Sequence, residues 1–133
     1  MNEDKKKKKA EYMNKYYHAN KDYREKCSKQ SEEARIKLRQ EILLHYSKGD
    51  IPQCECCGCA INRFLTIDHK NGGGSKQRKT GVTGSSFCKW IKKNNFPDEF
   101  RILCMNCNFA IGIHEECPHK RKSPPDSVGD FNI

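Results

Sequence analysis

Apolar residues are sparse along this chain and gather in a few short runs between long polar stretches. Leu38, Ile42, Leu43 and Tyr46 recur at helical spacing, which predicts an amphipathic helix packed on a core. Ser31 with Glu32 and Glu33 gives that helix a start, because a hydroxyl caps free N–H groups and acids complement the positive end of the dipole. Gly49 and Pro52 give it a stop. Phe64-Leu65-Thr66-Ile67 and Phe100 to Leu103 are runs of strand formers. Between them Phe87, Trp90 and Ile91 fall at i, i+3 and i+4 behind Ser85 or Ser86, predicting a short helix ended by Phe96-Pro97, with Trp90 on its inner face. Gln77 to Thr83 reads as loop, and Asn108 to Ile113 as the opening of a last helix.

Residues 1 to 30 are lysine-rich and interleaved with Tyr12, Tyr16, Tyr17 and Tyr23. Tyr12 and Tyr16, like Met13 and Tyr17, stand four apart, so a helix here carries an aromatic-edged stripe beside a basic face. Such a helix can follow a nucleic-acid backbone, and a solvated helix or a disordered tail fits the composition equally. After His119 come Pro124, Pro125 and Gly129 with little apolar content, so 120–133 is expected to be disordered. The division that follows is a basic extension over 1–30, a folded domain over 31–119 and the tail.

Composition narrows the classes. In 133 residues, 35% are hydrophobic and 32% charged, a core thin enough to need a staple. Nine cysteines with no secretory signal point to metal ligation in a reducing, intracellular compartment rather than to disulfides. No stretch is apolar enough to span a bilayer, and the run Lys5 to Lys9 lacks the large apolar face of a membrane-surface helix. The net charge of +9 is spread evenly, with 13 Lys and Arg against 8 Asp and Glu up to Tyr46 and 13 against 9 beyond it, favouring a polyanionic partner.

The cysteines fall in a pattern. Cys54-Glu55-Cys56-Cys57-Gly58-Cys59 allows two pairings, Cys54/Cys57 or Cys56/Cys59. The first is preferred because Gly58 then follows the second ligand, where a knuckle turn needs positive φ, leaving Cys56 and Cys59 spare. Cys104 and Cys107 form the matching half, and two such pairs around a long insert indicate one tetrahedral structural zinc. His114, Cys117 and His119, with Cys88 upstream, also have ligand spacing but lack an evident fourth partner; a chain end packed over the last helix reads equally.

Between the pairs, the first strand delivers Asp68-His69 into Lys70-Asn71-Gly72-Gly73-Gly74-Ser75. A glycine loop after a strand can turn both side chains toward one cleft and lets a phosphate approach backbone N–H groups; as a flexible connector it would look the same. Asp68 and the Asn108 carboxamide are hard oxygen ligands suited to Mg²⁺ or Mn²⁺, and a neutral His69 can accept a proton from attacking water. That set suits hydrolysis of a phosphodiester, with Lys70, Arg78, Lys79, Lys89, Lys92 and Lys93 available to grip phosphates.

Cys54-x-x-Cys57, Leu65-Thr-Ile-Asp-His69, the triple glycine, Phe100-Arg-Ile-Leu-Cys104-Met-Asn-Cys107-Asn108 and Glu116-Cys-Pro-His119 together resemble the zinc-binding HNH, or ββα-metal, nucleases common in phages, including relatives of recombination endonuclease VII. The resemblance covers residues 54 to 119. It implies an α+β fold, a small zinc-stapled ββα-metal domain behind a basic helical extension. It implies Asp68 and Asn108 as ligands of a catalytic metal, His69 as general base, and products with 3′-hydroxyl and 5′-phosphate ends. The expected function is that of a Mg²⁺-dependent DNA endonuclease, acting on duplex or branched DNA and able to form a homodimer. Two positions depart from the family: Asp98-Glu99 stands where many members have an Asn bracing the His loop, and Ile111 where many have a Lys. The alternative is a zinc-dependent nucleic-acid-binding module that does not cut.

Overall fold

The computed structural model describes residues 2–120, and the expected disorder of the tail from residue 121 onward lies outside them. The chain divides within one long helix into two units, 1–38 and 39–133.

The first unit is helical. Helix α1 (Glu3–Ala19) has no buried residue, as its lysine-rich composition requires, and carries Glu3 and Asp4 in its first turn. Asn20 leaves the helical region at φ −110° and ψ 102°. Its side-chain oxygen then accepts the Tyr23 N–H at 2.9 Å and starts α2 (Lys21–Tyr46). Sequence signals at Ser31 suggested a start there, but neither Gly nor Pro interrupts Lys21 to Tyr46, and the caps at Asn20 come first. The tyrosines meet one another: Tyr16 packs edge-on against Tyr23 with centroids 5.2 Å apart, and Tyr12 stacks on Tyr16 at 6.4 Å.

The second unit holds the sheet and the clustered cysteines. The end of α2 contributes Ile42 and Leu43, both fully buried, where the apolar spacing put them. A knuckle at 54–59 follows, then β1 (Leu65–His69), α3 (Gly74–Lys79), α4 (Gly84–Lys93), β2 (Phe100–Cys104) and α5 (Met105–His114). The strands pair antiparallel with Leu65 opposite Cys104, Thr66 opposite Leu103, Asp68 opposite Arg101 and His69 opposite Phe100. The fold is therefore α+β, helices around one small two-stranded sheet. Among the described residues no helix is long and apolar enough to cross a membrane.

Alternation along the strands sets the two faces of this sheet. Leu65, Ile67 and His69 share one face with Phe100, Ile102 and Cys104; Thr66 and Asp68 share the other with Arg101 and Leu103. Leu43, Leu65, Ile102, Leu103 and the thiols of Cys54, Cys104, Cys107 and Cys117 form the central cluster. Among the described residues four of the eleven in the buried core are cysteines, each placing a ligand sulfur where a larger core would place hydrocarbon. The Ser86 hydroxyl accepts the Thr83 N–H at 3.0 Å and starts α4, which buries Ile91. Part of the stretch expected to be loop, from Gln77 to Lys79, lies in α3, because Gly72 and Gly73 at φ 72° and 105° turn the chain sharply enough to begin a helix at once.

Candidate metal centre and adjoining polar site

Cys54, Cys56, Cys57, Cys59, Cys104, Cys107 and Cys117 carry thiols that no disulfide ties up. Gly58 takes φ 73°, its N–H bonds the Cys54 carbonyl at 2.9 Å, and the Cys54 N–H bonds the Cys59 carbonyl at 2.8 Å. This closed turn presents Cys54 and Cys57, the pairing the sequence favoured, to Cys104 and Cys107 at the β2–α5 junction. The junction is itself a cap, since Cys104 Sγ accepts the Cys107 N–H at 3.5 Å. The four Sγ atoms lie within 4.8 Å of one another. Cys57 Sγ and Cys104 Sγ are 3.7 Å apart. A tetrahedron with the 2.3 Å arms of a zinc–thiolate centre has edges of about 3.8 Å, so the donor set fits a structural metal such as zinc.

The spare thiols are not equivalent. Cys59 lines a groove with Ile61, Phe64 and Met105. Cys56 instead lies with Cys107, Cys117 and His119 in a second cluster of four donors, again within 4.8 Å of one another. Cys56 is thus not the bystander the chosen pairing suggested, and it supplies the fourth partner that Cys117 and His119 lacked in sequence. Cys88 and His114 are not members of either cluster.

The thiols perturb each other. Burial opposes ionisation of Cys54, but backbone groups at Cys57, Cys104 and Cys56 outweigh it and bring its pKa down to about 7. Burial likewise opposes ionisation of Cys117, and the His119 backbone with the Cys56, His119 and Cys107 side chains lowers it to about 7. Cys107 is driven far up, first by burial and then by the thiols of Cys104, Cys117, Cys57 and Cys54 around it. Cys56 and Cys57 are raised as well, so crowding keeps these thiols from ionising together, and a cation bound among them would favour their thiolate forms.

On the Thr66 face of the sheet the polar residues are held one by another. Thr66 Oγ1 donates to the Leu103 carbonyl at 2.8 Å, so toward Asn108 it can only accept, and Asn108 Nδ2 donates to it at 2.9 Å. That fixes the carboxamide orientation and leaves its oxygen as the free acceptor. Asp68 stands two residues along the same face and pairs through Oδ2 with Arg101 Nε at 2.8 Å. A carboxylate oxygen and an amide oxygen are the donors a hard divalent cation takes.

His69 belongs to the other face. Strand β1 stays regular to its end, so Asp68 and His69 make their contacts on opposite sides rather than turning into one cleft together. The imidazole stacks on Phe87 with centroids 5.9 Å apart and 8° between planes, and meets Phe100 edge-on at 4.9 Å. It lines a cavity of about 430 Å³ with Gly72, Gly73, Lys76, Gln77, Thr80, Val82, Trp90 and Glu99. The Lys70 N–H bonds the Glu99 carbonyl at 2.9 Å, so a main-chain bond secures the His loop where the expected asparagine is missing. The nearby Asn94 carboxamide donates instead to the Trp90 carbonyl at 2.8 Å.

Of the basic residues singled out, Lys70, Arg78, Lys79, Lys89 and Lys93 are exposed. Lys92 is exposed too but holds Glu41 at 2.8 Å, which ties α4 to the end of α2. Sequence reading missed Thr66, Arg101 and Lys76. The first two were open to discovery from the hairpin register, because Arg101 falls opposite Asp68 and Thr66 shares its face. Comparison with protein-family models, with curated proteins and with solved structures finds no match.

Proposed function

We propose that the second unit is a divalent-metal-dependent DNA endonuclease of the HNH type, built on a structural zinc. The observation that carries this reading is the Leu103–Thr66–Asn108 chain of hydrogen bonds, which fixes a carboxamide oxygen on the sheet face that also bears Asp68. Thr66 could hydrogen-bond elsewhere were Asn108 only packing; instead each polar atom has a role that leaves one oxygen uncommitted.

Asp68 and Asn108 would hold Mg²⁺ or Mn²⁺, which when bound supplies positive charge to a scissile phosphate. His69, stacked on Phe87 and edge-on to Phe100 beside the cavity, lies on the face opposite Asp68, so it accepts a proton from the attacking water only if the end of β1 turns its imidazole toward the Asp68 face. Lys76, on the wall of the same cavity, meets the phosphate backbone, and exposed Lys70, Arg78, Lys79, Lys89 and Lys93 extend that contact. Cys54, Cys57, Cys104 and Cys107 would hold the zinc, tying the knuckle to the β2–α5 junction from which Asn108 follows. The substrate is duplex or branched DNA cut to 3′-hydroxyl and 5′-phosphate ends, and cutting both strands calls for a homodimer or two successive events.

A second reading, a nucleic-acid-binding module that does not cut, is favoured by one contact. Arg101 occupies one oxygen of Asp68, and the protein itself thereby neutralises a charge that a catalytic cation would use. Supercoiled-plasmid nicking with Mg²⁺ or Mn²⁺ separates the two. Loss of nicking in both His69→Ala and Asn108→Ala, with DNA binding retained, supports the nuclease. Binding without nicking by the native chain, on plasmid and on a four-way junction, overturns it in favour of the module.

A further inference from the structure

The cluster of Cys56, Cys107, Cys117 and His119 is unexplained by a single zinc, and it is built rather than incidental. Helix α5 ends at His114, and Glu115 at φ 62° reverses the chain, its N–H bonding the Ile111 carbonyl at 2.9 Å. The chain then returns Cys117 into the interior at 2% exposure, although Glu115, Glu116 and Pro118 around it are exposed. His119 Nδ1 comes to 3.3 Å from Cys117 Sγ and 3.4 Å from Cys107 Sγ. Mixed sulfur and nitrogen ligands at zinc distances of 2.3 and about 2.0 Å stand about 3.6 Å apart on a tetrahedral edge. Were the chain end merely packed down, one aliphatic side chain at position 117 would serve, with no call for an imidazole or for a third thiol from the knuckle.

Cys107 is common to both clusters. A thiolate has lone pairs enough for two metals, so both sets can fill at once if Cys107 bridges them. The charge balance favours this. Six thiolates, from Cys54, Cys56, Cys57, Cys104, Cys107 and Cys117, with two divalent ions and a neutral imidazole carry a net charge of −2, the same as one zinc with four thiolates. The second ion therefore neutralises Cys56 and Cys117 without adding charge to a site already fixed at the core.

We propose that this unit holds a binuclear zinc cluster, in which Cys54, Cys57, Cys104 and Cys107 bind one ion, Cys56, Cys117 and His119 bind a second, and the Cys107 thiolate bridges the two. The inference does not rest on nuclease activity. It makes the segment after α5 a ligand-bearing part of the fold, clamped across the start of that helix.

Metal analysis of the full chain purified with zinc gives two equivalents if the cluster forms, and one equivalent overturns it. His119→Ala and Cys56→Ser each reduce two equivalents to one, whereas Cys59→Ser keeps both; equal loss in all three overturns the assignment. Because a variant can fail to fold, the native chain loaded with ¹¹³Cd²⁺ supplies an independent readout. Two cadmium resonances, each split by the other through the shared sulfur, are expected. A single resonance overturns the second site, and two unsplit resonances overturn the bridge.

Discussion

Asn108 and Thr66 are joined side chain to side chain over 2.9 Å, from the first turn of α5 to the middle of β1. Because Thr66 has already given its hydroxyl proton to Leu103, the amide nitrogen is the only part of Asn108 it can receive. Thr66→Val keeps the shape and removes the acceptor. Nicking should fall about 10- to 100-fold, the usual effect of losing a residue that orients a metal ligand. Thermal stability should fall by about 1 kcal/mol. Manganese binding followed by electron paramagnetic resonance checks the cause, since it should weaken in parallel; unchanged nicking would remove Asn108 orientation from the mechanism.

Arg101 competes with any cation for Asp68. In Arg101→Gln the carboxylate is released, and Mn²⁺ affinity should rise about fivefold, the scale of a partly exposed ion pair. DNA affinity should fall in the same variant, because a positive charge is lost beside the phosphate path. Calorimetry with Mn²⁺ and with a short duplex reads the two effects separately, and a weaker Mn²⁺ affinity would contradict the competition.

The glycines of the His loop differ in what they tolerate. Gly73 sits at φ 105°, so Gly73→Ala should cost about 1–2 kcal/mol. A Cβ on Gly74 would stand 3.5 Å from His69 Nδ1, an ordinary contact. Gly74→Ala should therefore leave the melting temperature nearly unchanged. Paired thermal melts decide it, and equal losses would mean that the turn at Gly73 is not required.

Tyr46 gives a pH signature. Burial, with the negative charges of Asp98 and Glu99, raises its pKa from 10.0 to about 12, while its hydroxyl donates to the Pro97 carbonyl at 2.7 Å. The folded state holds that proton more tightly than the unfolded one. The resulting stability is fully present below pH 10 and is lost as pH rises through about 12. An alkaline absorbance titration should show one of the five tyrosines ionising near pH 12, and Tyr46→Phe should abolish that step. A titration unchanged by the substitution would place the late proton elsewhere.

Metal removal should unfold the second unit. With four cysteines among the eleven buried core residues of the described chain, a chelator strong enough to strip thiolate-bound zinc should erase the near-ultraviolet signal of Trp90 and Tyr46. The helical signal of residues 3–38 is outside that cluster and should survive in part. A chelated chain with intact tertiary signal would show that hydrocarbon packing suffices.

Much of this arrangement was legible in sequence because it is local. The Cys54/Cys57 turn, the strand formers around Ile67 and Ile102, and the helix of Phe87 and Ile91 each announce themselves through spacing within a few residues, although Trp90, expected on the inner face, is exposed. The second cluster was legible only in Cys117 and His119, since Cys56 from the knuckle and Cys107 at the start of α5 join them only on folding, while His114 and Cys88 stay outside. The glycine run hid α3, because flexible composition and a tight helical start look alike in sequence. Asp68 and His69 are neighbours in sequence, yet the regular strand separates their contacts, and that depends on where pairing ends.

The rung formed by His69 and Phe100 is also where the chain leaves the sheet and re-enters it, with the Lys70 N–H and the Glu99 carbonyl closing the gate at 2.9 Å. Everything from residue 70 to 99 is thus an excursion whose two ends meet at one rung, and lengthening the loops within it costs only about 0.6 kcal/mol per doubling. So long as Phe87 and Trp90 still meet Phe100, this stretch can be rewritten while the ligand frame keeps its register. The cysteine frame and the surface that the excursion displays are then separately variable parts of one small protein.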